Sequence, residues 1–171
     1  MDPLGLTILV RELAADAVIL REASSSARKR LREQAGGYAE AAAYELARFY
    51  TVLEKAFERV SIGFENHFDK RHDYHERLLQ RMTLDLPGIR PAFVPGDARD
   101  ALRELKGFRH VVRHAYDLTL RADRLAELTT FAETIAADLP RWAADFAAAV
   151  KREQGWADGG EQGSGGNAAL V

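Results

Sequence analysis

Leu46-Ala-Arg-Phe49-Tyr50-Thr-Val-Leu53-Glu-Lys-Ala-Phe57-Glu-Arg-Val60-Ser-Ile-Gly-Phe64 spaces its apolar residues three and four positions apart, with charged residues between them. That is the period of one helix face; a strand would send alternate side chains to opposite faces and could not bury the whole set. The pattern predicts a long amphipathic helix over about residues 38–66.

The same period extends on both sides. Leu6, Leu9, Val10, Leu13, Ala17 and Leu20 predict a first helix from about residue 5 into the twenties. Ser24-Ser25-Ser26 weakens it, and the basic run Arg28–Arg32 continues it or follows a bend. Gly36-Gly37 breaks the pattern. Downstream, His67–Asp73 reads as a charged connector, and Leu78, Leu79 and Met82 mark a shorter helix over about 73–84. Pro87, Gly88, Pro91, Pro95 and Gly96 make a loop, after which Asp97 is placed to cap a helix over about 98–117. Leu125, Leu128, Ala132, Ile135, Leu139, Trp142 and Phe146 stripe a last helix, with a kink expected at Pro140. No period-two stretch of useful length and no internal repeat interrupts the series. The expectation is all-α: an antiparallel bundle of four to five helices, its second and last helices forming the central packing pair. One domain is expected over 1–153, followed by a flexible Gly-rich tail over 154–171.

At 171 residues, 47% hydrophobic and 29% charged, the chain has the makeup of a single soluble domain with a sizeable core. Its net charge of −2 provides no global basic field, so any contact with nucleic acid must come from a local patch. The absence of cysteine excludes disulfides, thiolate metal sites and cysteine nucleophiles, and fits a reducing cytoplasm. Leu4–Val10 is followed at once by Arg11, Glu12 and Asp16, the wrong order of charge for a secretory leader. No run approaches the ~20 apolar residues needed to span a bilayer. A cytoplasmic protein without a membrane segment is expected.

The chemistry concentrates in Arg109-His-Val-Val-Arg-His114-Ala-Tyr116, on the helix expected over 98–117. At about 100° per residue, Phe108, Val111, Val112 and Ala115, with Ala101 and Leu105, gather toward the expected core. Arg109 and Arg113 fall on the opposite half, with His110 and His114 beyond them and Tyr116 at the apolar boundary. Arg109 and His114 are then about 140° apart and about 7.5 Å along the axis, too far round to cup one phosphate on a straight helix. Either the helix ends or bends near His114, or a second copy completes the site across a twofold axis. An arginine fork matches phosphate geometry, and an imidazole exchanges protons near neutral pH. RNA carries its own nucleophile in the 2′-hydroxyl, so this combination suits metal-independent cleavage by intramolecular transesterification.

These residues resemble the signature of the HEPN superfamily, and Arg-x4-His-x-Tyr is similar to the HepT-like ribonuclease toxins of type VII toxin–antitoxin systems. Phe49–Phe57, Tyr74–Met82, Leu86–Pro91 and Phe108–Tyr116 follow in the order of that family, so the resemblance covers about residues 38–150. It implies an all-α bundle that dimerises, so that paired motifs line one cleft. It implies an endoribonuclease acting on tRNA or mRNA with no cofactor and no metal, leaving a 2′,3′-cyclic phosphate. Arg109 and His114 are the implied catalytic pair, and His110 and Arg113 are candidate RNA contacts. The resemblance also implies a partner antitoxin, a minimal nucleotidyltransferase that adds AMP to Tyr116. The added charge and bulk would fall where RNA phosphate must bind.

Blander readings stand beside these. Arg109, Arg113 and the two histidines also suit a solvated face, and Tyr116 a boundary aromatic. His67, His72 and His75 with Asp69 and Asp73 lack a recognised metal-ligand spacing and read as a charged turn. Arg28–Arg32 reads as a solvated basic face and Trp142 as core. The functional alternative is a catalytically silent helical module that docks a nucleotidyltransferase or binds nucleotide.

Overall fold

The computed structural model describes residues 1–65, 74–114 and 119–156. Among these lie five α-helices: α1 Pro3–Glu33, α2 Tyr38–Glu65, α3 Tyr74–Met82, α4 Arg99–His114 and α5 Ala122–Gln154. No strand occurs among the described residues; an isolated bridge, Leu86 to Arg90, closes the turn after α3. The all-α expectation holds.

Local chemistry sets the helix ends. Asp2 caps α1 by accepting the Gly5 N–H at 2.7 Å, and Pro3 opens the helix where its missing N–H costs nothing. The chain leaves α1 through Gln34, whose φ of 48° is left-handed, and Gly37 at φ 72° starts the turn into α2. Ser24–Ser26 does not interrupt α1. Buried Ser24 returns its hydroxyl to the Arg21 carbonyl at 3.1 Å, so its polar group is satisfied inside the helix. Asp97 does not sit at an α-helical N-cap; it falls within a 3-10 turn, Gly96–Ala98, that leads into α4. α5 runs through Pro140 as one element and ends at Gly155, a left-handed cap at φ 65°.

The packing corrects the expected centre of the bundle. α1 makes the most extensive contacts, against both α2 and α5, while α2 and α5 meet each other far less. Leu6, Leu9, Leu13 and Leu20 alternate with Ala17, Ala23 and Ala27 along the buried stripe of α1, and the alanines let two helices approach it. The first helix was underrated because its stripe is mostly alanine and leucine, a weaker periodic signal than the aromatic stripe of α2. Arg28 fastens the pairing by donating to Glu133 of α5 at 2.6 Å and to Thr130 at 2.9 Å. This occupies the first arginine of the basic run with a structural role.

At the other end, aromatic rings join three segments edge to face. Phe93 in the loop meets Phe57 of α2 at 6.1 Å and Phe146 of α5 at 5.4 Å, and Phe146 also meets Phe64 at 5.4 Å. Arg90 anchors the same loop from the inside. Its fully buried guanidinium donates to Glu65 at 2.7 and 3.0 Å and to the carbonyls of Arg81 at 2.9 Å and Pro91 at 3.1 Å. Trp142 is core, as expected.

Candidate functional site

α4 presents the motif, but it is turned from the expected orientation. Its inward arc is Leu102, Leu105 and Arg109, all buried, with Val112 half-buried one turn on. Val111, expected inside, is 42% exposed. Arg109, expected on the polar half, is only 7% exposed. The expectation assigned every apolar residue to the core and every charge to water. Here a buried counter-charge on the neighbouring helix draws Arg109 inward and rotates the whole face.

That counter-charge is Glu54 of α2, itself 6% exposed. Its Oε2 lies 3.3 Å from a terminal nitrogen of Arg109, and Arg109 Nε donates to the Thr51 hydroxyl at 3.1 Å. The guanidinium also sits 5.9 Å from the centre of the Tyr50 ring, a cation–π contact. Burial, and then the Glu54 charge, push the Tyr50 phenol well above its ordinary range against the opposing pull of Arg109. The ring therefore stays neutral beneath the guanidinium. The second Glu54 oxygen, Oε1, takes a hydrogen bond from Nδ1 of His75, near the start of α3. One buried carboxylate thus ties α2, α3 and α4 together.

The start of α3 is held against α4 by the residue after His75. Glu76 pairs with Lys106, and with Arg103 at 3.6 Å. The Lys106 hydrogen bond, reinforced by both cations, holds the Glu76 carboxyl below its ordinary range. Tyr74 lies edge-on to His75 at 5.1 Å and donates its hydroxyl to Glu58.

His110, Arg113 and His114 are exposed in the last turns of α4. The His114 ring stacks on His110, with centroids 4.5 Å apart and planes 28° apart. His114 Nδ1 lies 2.8 Å from the His110 carbonyl oxygen. A carbonyl only accepts, so Nδ1 carries the hydrogen and the neutral ring holds its lone pair at Nε2. No hydrogen bond or ion pair joins Arg109 to His114 among the described residues: one faces the protein and the other faces water. Tyr116 lies outside the described residues, as do His67, Asp69, His72 and Asp73 of the charged connector. Among the described residues no group of metal-ligating side chains is present, and His75 is engaged with Glu54.

Glu54 and Thr51 were not singled out from the sequence, and His75 was weighed only as a metal ligand in a charged turn, yet one signal was there. Glu54 follows Tyr50 by four positions and precedes Phe57 by three, so it sits on the buried arc of α2. A carboxylate on that arc requires a cationic partner.

The all-α bundle thus docks its Arg–x4–His helix on its second helix. The chain belongs to the HepT-like protein family, whose pattern matches residues 41–150. No curated protein and no solved structure matches it. The family match begins inside α2, so α1, which packs most extensively, lies wholly outside it. No described helix is long and apolar enough to cross a membrane.

Proposed function

We propose that this chain is the toxin of a toxin–antitoxin pair: a metal-independent endoribonuclease neutralised by AMP transfer to Tyr116 from a separate nucleotidyltransferase. Membership of the HepT-like family supports the toxin context. The single observation that carries the chemistry is His114, an exposed imidazole whose Nδ1 is fixed on a carbonyl and whose Nε2 meets no hydrogen-bond partner among the described residues. The 2′-hydroxyl of RNA attacks its own phosphorus, His114 manages a proton, and Arg109 stabilises the phosphorane-like charge. His110 and Arg113 add cationic or hydrogen-bonding contacts to the RNA backbone on the same exposed end. A homodimer related by a twofold axis would set the motifs of two copies facing one cleft.

Arg109 is occupied by Glu54, so it engages phosphate only by exchanging one anion for another. That occupancy favours a second reading, a catalytically silent module that docks the nucleotidyltransferase. RNA cleavage in EDTA by the wild type and by His114→Ala, with product ends identified, separates the two. A 2′,3′-cyclic phosphate product that disappears in the variant supports the ribonuclease. A folded, unmodified wild type that cuts neither tRNA nor total RNA leaves the docking module. Coexpression with a nucleotidyltransferase and peptide mass analysis tests the second half, with added adenylate expected on Tyr116 and absent in Tyr116→Phe.

A further inference from the structure

Transesterification of RNA moves two protons, one off the 2′-hydroxyl and one onto the departing 5′-oxygen. His114 supplies one of these roles from across the twofold cleft proposed above, since on one helix it faces away from Arg109. We infer that His75 supplies the other, as the acid that protonates the 5′-oxygen, with Glu54 as its positioning residue; this rests on the ribonuclease reading above.

Three observations carry it. His75 places Nδ1 on the carboxylate of Glu54 while its side chain stays 50% exposed. A carboxylate accepts only, so Nδ1 carries a hydrogen and Nε2 is the nitrogen turned to exchange protons with a ligand. Glu54 is buried, so this support is rigid and the charge of a protonated imidazole is offset from behind. The other oxygen of the same carboxylate holds Arg109. A phosphate drawn to Arg109 therefore arrives beside His75, which sequence spacing alone, 34 positions upstream (109 − 75), does not indicate. The Glu76 pairs with Lys106 and Arg103 fix the start of α3 against α4 and keep this juxtaposition in place.

The step balances without a further reactant. His114 Nε2 takes the 2′-hydroxyl proton as the O2′–phosphorus bond forms. The phosphorus–O5′ bond breaks, its electron pair stays on the 5′-oxygen, and the proton on His75 Nε2 transfers to that oxygen. The products are a 2′,3′-cyclic phosphate and a 5′-hydroxyl, and the two imidazoles have exchanged protonation states.

The test uses His75→Asn in the full chain, because the asparagine amide can donate to Glu54 as Nδ1 does yet has no proton to give at the Nε2 position. Two substrates are compared: an RNA oligonucleotide, and a uridine 3′-phosphodiester whose leaving group is p-nitrophenolate, which departs without an acid. The inference expects a loss of about 10²–10⁴-fold on RNA and near wild-type turnover on the activated ester. His75→Ala, which also removes the donor to Glu54, serves as the control for displaced Arg109 and is expected to lose activity on both. Equal loss of His75→Asn on both substrates would make the histidine structural, and full activity on RNA would remove it from the chemistry; either overturns the inference while the ribonuclease stands. A wild type silent on both substrates overturns the ribonuclease reading and this inference with it.

Discussion

Glu54 and Arg109 lie 3.3 Å apart with side chains only 8% and 9% exposed, an ion pair closed off from water at the junction of α2 and α4. Its desolvation cost is offset only while both partners are present. Removing either one, as in Arg109→Met or Glu54→Leu, leaves a buried charge without its main counter-ion. Each single change is expected to cost about 3–5 kcal/mol of stability. The double variant Glu54→Leu with Arg109→Met is expected to cost clearly less than the sum, as read by chemical denaturation of all four proteins. Simple additivity would show that the two residues do not interact.

Arg90 bears the same logic at the far end of α2. It is fully buried and bridges Glu65 to the carbonyls of Arg81 and Pro91, so it holds the loop that carries Phe93. Arg90→Ala is expected to destabilise by about 3–5 kcal/mol. Arg90→Lys should recover little, because one ammonium cannot reach acceptors spread around a planar fork. Thermal melting of both variants decides this, and a lysine variant melting like the wild type would contradict it.

Alkaline pH is expected to weaken the fold through two buried phenols. Burial, and then nearby carboxylates, hold the Tyr50 and Tyr74 phenols above their ordinary range. The folded protein thus keeps protons that the unfolded chain releases from about pH 10 upward. Bound protons then favour the folded state, and stability falls as pH rises through that window. At neutral pH both phenols are protonated in either state and the contribution is fully present. Tyr50→Phe and Tyr74→Phe should flatten the decline measured by denaturation between pH 9 and 11, taken as about one unit on each side of that onset. An unchanged slope in both variants would rule the phenols out.

α1 is expected to be indispensable, although the family match starts at residue 41. Leu13 and Leu20 are fully enclosed between α2 and α5. Leu13→Ala should cost about 2–5 kcal/mol. A chain lacking residues 1–35 should lose cooperative unfolding and bind a hydrophobic dye. A truncated chain with a sharp, wild-type-like transition would place the core elsewhere.

How far the sequence disclosed this structure varied with the kind of force involved. Helix existence and most boundaries were readable, because Leu46, Phe49, Leu53 and Phe57 report a 3.6-residue period directly. The rotation of α4 was not. Periodicity assumes that apolar residues point inward, and Arg109 and Val111 reverse that assumption through a counter-charge 55 positions away (109 − 54). The candidate site was legible as a list, with Arg109, His110, Arg113 and His114 all on one helix. How Thr51, Glu54 and His75 support it was not, since a partner reached only through tertiary packing leaves no local spacing to read. Tyr116 lies outside the described residues, and its role rests on the proposal above.

The clasp between α1 and α5 also bears on how the molecule is made. Arg28 reaches Glu133 across 105 positions, and α1 buries its leucines against α5, which is synthesised well after it. At about 5–20 residues per second, the ribosome leaves the α5-facing side of α1 uncovered for a period on the order of ten seconds. Closing so long a loop is entropically late and cannot be anticipated by local contacts. On this topology α1 can meet α2 early, while closure of the bundle waits on the emergence of α5.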